Sequence, residues 1–207
     1  MRAVRAELQA AGPKRTRPFE RDFERVALPA ADGDHLRDIL VADGARVVIE
    51  IGLAYGSSAL AIGEALCSTG GDVSHIVIDP FQAEAYDNVG WETLTAAGLA
   101  AQTTFIKESS SIALARFAGA AFFADAAFVD GSHRFHEIFV DLYFLRRVVR
   151  PGGLIVLDDA VWPSVSTALR YFDLNLGWRP VSIGGRLTAR RLPDEVFEPL
   201  FTDFKPF

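Results

Sequence analysis

The sequence predicts an α/β domain built on a doubly wound, mostly parallel seven-stranded sheet with a closing antiparallel strand. Three observations lead there. Short apolar runs rich in β-branched residues alternate with longer helical stretches, as in a parallel sheet covered on both faces. Nearly every apolar run ends in a carboxylate. Two last runs flank Gly184-Gly185, which reads as a hairpin. The chain has 207 residues, 50 % hydrophobic and 23 % charged, which suits one domain large enough to bury a core.

Arg46 to Ile51 is the first strand, and Ser57 to Cys67 an Ala/Leu-rich helix stopped by Gly70-Gly71. His75 to Asp79 is the second strand, followed by a helix from Trp91 to Ala97 with Gly98 at its end. Thr103 to Lys107 is the third strand, and Ser110 to Phe117 a short helix with serines to cap it. Asp125 to Asp130 is the fourth, followed by a helix from Phe135 to Val149. Pro151-Gly152-Gly153 turns the chain into the fifth, Leu154 to Asp158, with a helix over Val165 to Leu174 after it. The hairpin joins Trp178 to Ile183 with Arg186 to Arg190.

Residues 1–40 are expected to form a helical cap on a core of residues 41–192. The tail, 193–207, carries Phe197, Phe201, Phe204 and Phe207 and is expected to pack on the body or on a second copy in a homodimer. One cysteine, Cys67, excludes an internal disulfide framework. The net charge of −6 disfavours a nucleic-acid partner. Residues 1–25 hold seven bases, among them Arg5, Lys14, Arg15, Arg17 and Arg21, but interleaved acids make a solvated lead-in the expected role. No apolar run is long enough for a membrane span and none resembles a signal peptide, so a cytoplasmic location is expected.

Ligands of open α/β sheets bind beyond the carboxyl ends of the strands. Glu50, Gly52, Tyr55, Gly56, Ser57 and Ser58 follow or close the first strand; Asp79 closes the second; Glu108 and Ser109 follow the third. Asp130, Gly131, Ser132 and His133 follow the fourth, and Asp158 and Asp159 the fifth. Gly52 and Gly56 make a strand-to-helix turn that admits a ligand to the backbone. Its spacing is G-x-x-x-G, not a dinucleotide clamp. Asp79 lies 23 residues past Gly56, where an acid accepts ribose hydroxyls. Asp130, Asp158 and Asp159 would repel one another unless a cation or protons intervened, and hard oxygen donors suit Mg²⁺ or a similar divalent cation. His133 can take a proton near neutral pH. His136 is equally titratable but is expected to face solvent.

Together these residues resemble class I S-adenosylmethionine-dependent methyltransferases, in particular small O-methyltransferases related to catechol O-methyltransferase and bacterial natural-product enzymes. The resemblance runs over about residues 40–190 and implies the Rossmann-like methyltransferase fold. Val48 to Ser58 is similar to the run that wraps the methionine part of the cofactor S-adenosyl-L-methionine, and Asp79 to the ribose-binding acid. The stretch from Phe105 to Ser110 is similar to the segment leading into the adenine contact. Phe128-Val-Asp130-Gly-Ser-His133 looks like a strand end bearing a metal ligand and then a catalytic base, and Arg150 to Asp159 like the segment with the other two ligands. Asp159 stands where catechol-type enzymes usually carry Asn, and His133 where they carry Lys.

The implied reaction is methyl transfer to the hydroxyl of a small-molecule acceptor, with metal at Asp130, Asp158 and Asp159, His133 as base, and the cofactor held by Glu50, Gly52, Tyr55, Gly56, Ser57, Ser58, Asp79, Glu108, Ser109 and Asp130. Three other readings stay open: metal-independent transfer with His133 as base, a dinucleotide-dependent oxidoreductase, and a non-catalytic protein keeping only the fold. The acceptor pocket is expected between Arg15 to Asp34, Phe135 and Trp162.

Overall fold

The structure is a computed structural model that describes residues 1–13 and 22–207. Lys14, Arg15, Arg17 and Arg21 lie outside the described residues. Five strands run parallel: β1 (Val47–Ile51), β2 (Ser74–Ile78), β3 (Thr103–Ile106), β4 (Ala124–Val129) and β5 (Val149–Leu157). β6 (Arg179–Val181) and β7 (Thr188–Arg191) form the hairpin, and β7 lies antiparallel against β5. The order is β3-β2-β1-β4-β5-β7-β6, the expected seven-stranded doubly wound sheet. The winding reverses between β1 and β4, and that reversal opens a crevice at their carboxyl ends.

Strand alternation sorts the helices. Ile49 and Ile51 point into the core under α7 (Ser110–Gly119), α8 (Phe135–Val148) and α9 (Pro163–Leu176), as numbered along the chain. Val48, Phe128 and Val156 point the other way, onto α3 (Ala30–Asp43) and α4 (Ser57–Thr69). The remaining helices are α1 (Arg2–Ala11), α2 (Asp22–Val26), α5 (Gln82–Tyr86) and α6 (Val89–Ala96). α9 starts on Pro163, which suits a first helical position, and ends at Gly177 in the left-handed region.

Three expectations change. Pro151 to Gly153 is not a turn outside the sheet: β5 begins at Val149, and a register irregularity between Ala124 and Ala126 absorbs these residues. The hairpin strands are shorter than expected, so residues 182–187 form a loop that reaches toward α3. The lead-in is not simply solvated. Arg5 is buried and donates to Asp34 Oδ1 and Glu64 Oε2 at 2.9 Å each, which ties α1 to α3 and α4.

The tail packs only in part. Phe207 sits against Tyr171 at 5.2 Å between ring centroids, whereas Phe201 is 93 % exposed. Among the described residues no helix is long and apolar enough to cross a membrane.

Candidate active site

A cleft of about 1010 Å³ opens over the carboxyl ends of the strands. Of the expected site residues, Gly52, Asp79, Ser109, Asp130, His133 and Asp159 line it. One wall is the turn after β1. Gly52 has φ +92°, and a Cβ there would overlap the Asp130 carbonyl oxygen, so the two strand ends meet closely only because this residue is glycine. Gly56 has φ +86° and begins α4.

Asp79 wires this turn to β2. Its Oδ2 accepts from the backbone N–H of Leu53 (3.0 Å) and Ala54 (3.2 Å) and from Gln82 Nε2 (2.9 Å). Its Oδ1 accepts only from Phe81 N–H (2.7 Å) among the described residues. A carboxylate oxygen has room for a second donor, so Oδ1 can serve a ribose hydroxyl while Oδ2 holds the loop. Gln82 also donates to the Ala54 carbonyl at 2.8 Å and locks α5 onto the turn. The sequence reading did not single out α5 or Gln82.

The rest of the expected cofactor set does not line the cleft. Glu50 is fully buried; it accepts from Ser58 Oγ at 2.5 Å, and His75 Nε2 lies 2.9 Å from its second oxygen. Ser57 is buried at the start of α4. Tyr55 is buried between Phe23 (5.5 Å) and Tyr86 (5.2 Å) in edge-to-face contacts. Glu108 accepts from Arg116 at 2.5 Å, beside the cleft. Gly56 is covered by α6, whose Gly90 carbonyl would sit 3.2 Å from an added Cβ. These six residues shape the turn and its surroundings, and none of them forms the wall.

The adjoining wall carries the strand-end acids. Asp130 N–H donates to Ile51 O (2.9 Å) and Asp158 N–H to Val129 O (3.1 Å), so β1, β4 and β5 end in a stagger. His133 Nε2 lies 2.9 Å from Asp159 Oδ2. Asp159 itself has φ +55°, a strained backbone for a non-glycine residue of the kind that gathers at functional sites. Ligand atoms of Asp130, His133 and Asp159 all lie within 4.8 Å of one another.

The expected ligand trio of Asp130, Asp158 and Asp159 does not assemble. Asp158 Oδ1 accepts from Asp159 N–H at 2.8 Å, and its Oδ2 pairs with Arg186 Nη2. His133 takes the place of Asp158 in the cluster. Arg186 comes from the β6–β7 loop, and the sequence gives no sign that it crosses to β5.

Charge crowding shows in the acids. Burial, then the Asp158 and Asp159 carboxylates, push Asp130 well above the ordinary carboxylate range. Burial also raises Asp158, against the pull of Arg186. On the cleft floor, burial pushes Asp141 of α8 up to about 6, with the nearby Glu137 adding to the rise and a Ser110 hydrogen bond opposing it. Asp141 was missed, although a carboxylate at helical spacing among Ile138, Leu142 and Leu145 could have flagged it. His136 lines the rim and is largely solvent-exposed as expected. From the cap, Arg25 and Val26 reach the cleft, whereas Phe135 and Trp162 do not line it.

A cleft at the switch point, with a glycine turn and a second-strand acid, is where open α/β sheets take nucleoside-type ligands. Residues 49–160 match the methyltransferase domain family, and the chain belongs to it. Methyl transfer is therefore its activity class. No curated protein matches the chain in sequence. Solved structures share the fold. The O-methyltransferase TomG from Streptomyces achromogenes, involved in tomaymycin synthesis and in complex with SAM, is 18 % identical, with a TM-score of 0.65 over 92 % of this chain and 96 % of that one. Cofactor-bound Rv0187 from MTB is 21 % identical, with a TM-score of 0.66 over 94 % and 89 %. An O-methyltransferase from Bacillus cereus in complex with SAH is 17 % identical, with a TM-score of 0.61 over 91 % and 97 %.

Proposed function

We propose that this methyltransferase moves the methyl group of S-adenosylmethionine onto a hydroxyl oxygen of a small molecule, with His133 as the base. The observation that carries the reading is the His133–Asp159 pair, which lines the same cleft as the Gly52 turn. With Nε2–H directed at Asp159, Nδ1 holds the free lone pair and takes the proton. The sulfonium methyl is already activated, so the protein has to align the acceptor oxygen with the S–CH₃ bond and keep water out. Gly52 brings the ends of β1 and β4 together where the cofactor binds, and Asp79 Oδ1 receives a ribose hydroxyl.

Calorimetric titration with S-adenosylhomocysteine tests the donor. Micromolar or tighter binding is expected, and no binding would sink the reading.

A second reading is divalent-metal assistance. It rests on the cluster of Asp130, His133 and Asp159, whose two carboxylates and imidazole would hold the ion. A bound divalent ion would lower the pKa of the acceptor hydroxyl. Transfer that stops in EDTA and returns with Mg²⁺ is the result that favours it.

A further inference from the structure

We propose that Arg186 is the resident cation of the strand-end carboxylates: it occupies Asp158, keeps a divalent cation off it, and steadies the acceptor oxygen as that oxygen gives its proton to His133. The last part rests on the methyl-transfer reading; the first two do not.

Asp158 does not line the cleft. Its side chain is fully buried, Oδ1 is taken by Asp159 N–H at 2.8 Å, and Oδ2 is taken by Arg186. To ligate a metal it would have to give up the guanidinium. Arg186 is held where it is from behind. Its backbone N–H donates to Asp32 Oδ1 at 3.0 Å, and Asp32 is buried on α3. The preceding Gly185 has φ +68°, and an added Cβ would overlap Asp32, so the loop closes onto α3 only with glycine there.

A guanidinium cannot lose its proton in a protein, so the countercharge is permanent. It faces all three acids. Burial weakens its charge, but Asp158, Asp159 and Asp130 together outweigh that and hold the charge firmly. Buried carboxylates need a partner, and here the chain supplies it. Arg186 also lines the cleft, so an N–H not used by Asp158 is available to the acceptor oxygen.

The transfer then balances without a further reactant. The hydroxyl proton goes to His133 Nδ1 and the oxygen lone pair forms the O–CH₃ bond. The S–CH₃ electron pair stays on sulfur, which leaves S-adenosylhomocysteine.

The test uses Mn²⁺ as the probe, followed by electron paramagnetic resonance of the full chain saturated with S-adenosylhomocysteine. The wild-type protein is expected to bind Mn²⁺ in the millimolar range or weaker. Arg186→Met frees Asp158 and should bind it at least tenfold more tightly. Adding Asp158→Asn should abolish that gain, and Arg186→Lys, which keeps a cation, should stay near the wild type. Micromolar Mn²⁺ binding by the wild type overturns the proposal, as does an Arg186→Met affinity no tighter than wild type.

If circular dichroism shows that Arg186→Met does not fold, Asp158→Asn alone decides. Unchanged Mn²⁺ affinity supports the proposal, and a tenfold loss overturns it. Calorimetry with S-adenosylhomocysteine alone, on the wild type, reports separately on the methyl-transfer reading. That reading can fail while the Mn²⁺ result stands.

Discussion

The two walls of the cleft are held by different means. The Gly52 wall is wired through the backbone: Asp79 accepts N–H groups from Leu53, Ala54 and Phe81, and Gln82 clamps the Ala54 carbonyl. The carboxylate wall is held by side-chain charge: Asp158 on Arg186, and Asp159 beside His133. Backbone wiring fixes a shape that a ligand must fit. Charge pairing sets proton positions and electrostatics, and these can change during a reaction. A cofactor whose nucleoside part is the same before and after transfer suits the first wall, and an acceptor that loses a proton suits the second.

Substitutions should separate the walls by readout, and the largest effect belongs to the base. His133→Ala should lower the transfer rate by about 10²–10⁴-fold while S-adenosylhomocysteine affinity stays near wild type, as measured by single-turnover kinetics and calorimetry. An equal loss of cofactor affinity would break the division between walls. Gly52→Ala should act in the opposite sense. The φ of +92° and the overlap with the Asp130 carbonyl predict a loss of roughly 2–4 kcal/mol in stability, with cofactor affinity falling alongside, seen by urea denaturation and calorimetry.

Asp79→Asn comes next. It brings an amide N–H₂ toward backbone donors in place of a charged acceptor, and should cost about 2–3 kcal/mol in urea denaturation.

Asp141 sharpens the comparison through pH. Its folded pKa of about 6 is above the usual carboxylate value, so between about pH 4 and 6 the native state binds more protons than the unfolded one. Its contribution to stability is therefore present at low pH and lost as pH rises through 6. Asp141→Asn should relieve about 2–3 kcal/mol of that burden at pH 8 and very little at pH 4, measured by urea denaturation at both. The smallest effect is expected at Glu108, paired with a largely exposed Arg116. Glu108→Ala should change stability by less than about 1 kcal/mol and leave S-adenosylhomocysteine affinity unchanged.

How legible the site was depended on the range of each interaction. Asp79 and Gly52 could be found because strand, turn and acid follow at fixed spacing along the chain. His133 and Asp159 could be nominated because each trails a strand end, but their pairing at 2.9 Å joins two separate strand ends. Glu50 and Ser58 were placed with the cofactor, yet they bond to each other behind the wall, because Glu50 lies within β1, where a residue can face either side of the sheet, and it faces α4. Pro151 to Gly153 read as a turn because proline and glycine usually break structure; the irregular pairing with β4 accommodates them inside β5.

The sequence by itself determined the sheet, the position of the cleft and the acids that end its strands. Hydrophobic periodicity and turn chemistry are local properties, and the crossover rule carries them to a topology. Only the tertiary structure decided which acids stay free. Arg186 reaches Asp158 from 28 positions further along the chain, and Asp32 on α3 anchors its backbone from 154 positions earlier. A charge pair is set by distance in space, and no local pattern in the chain encodes that distance.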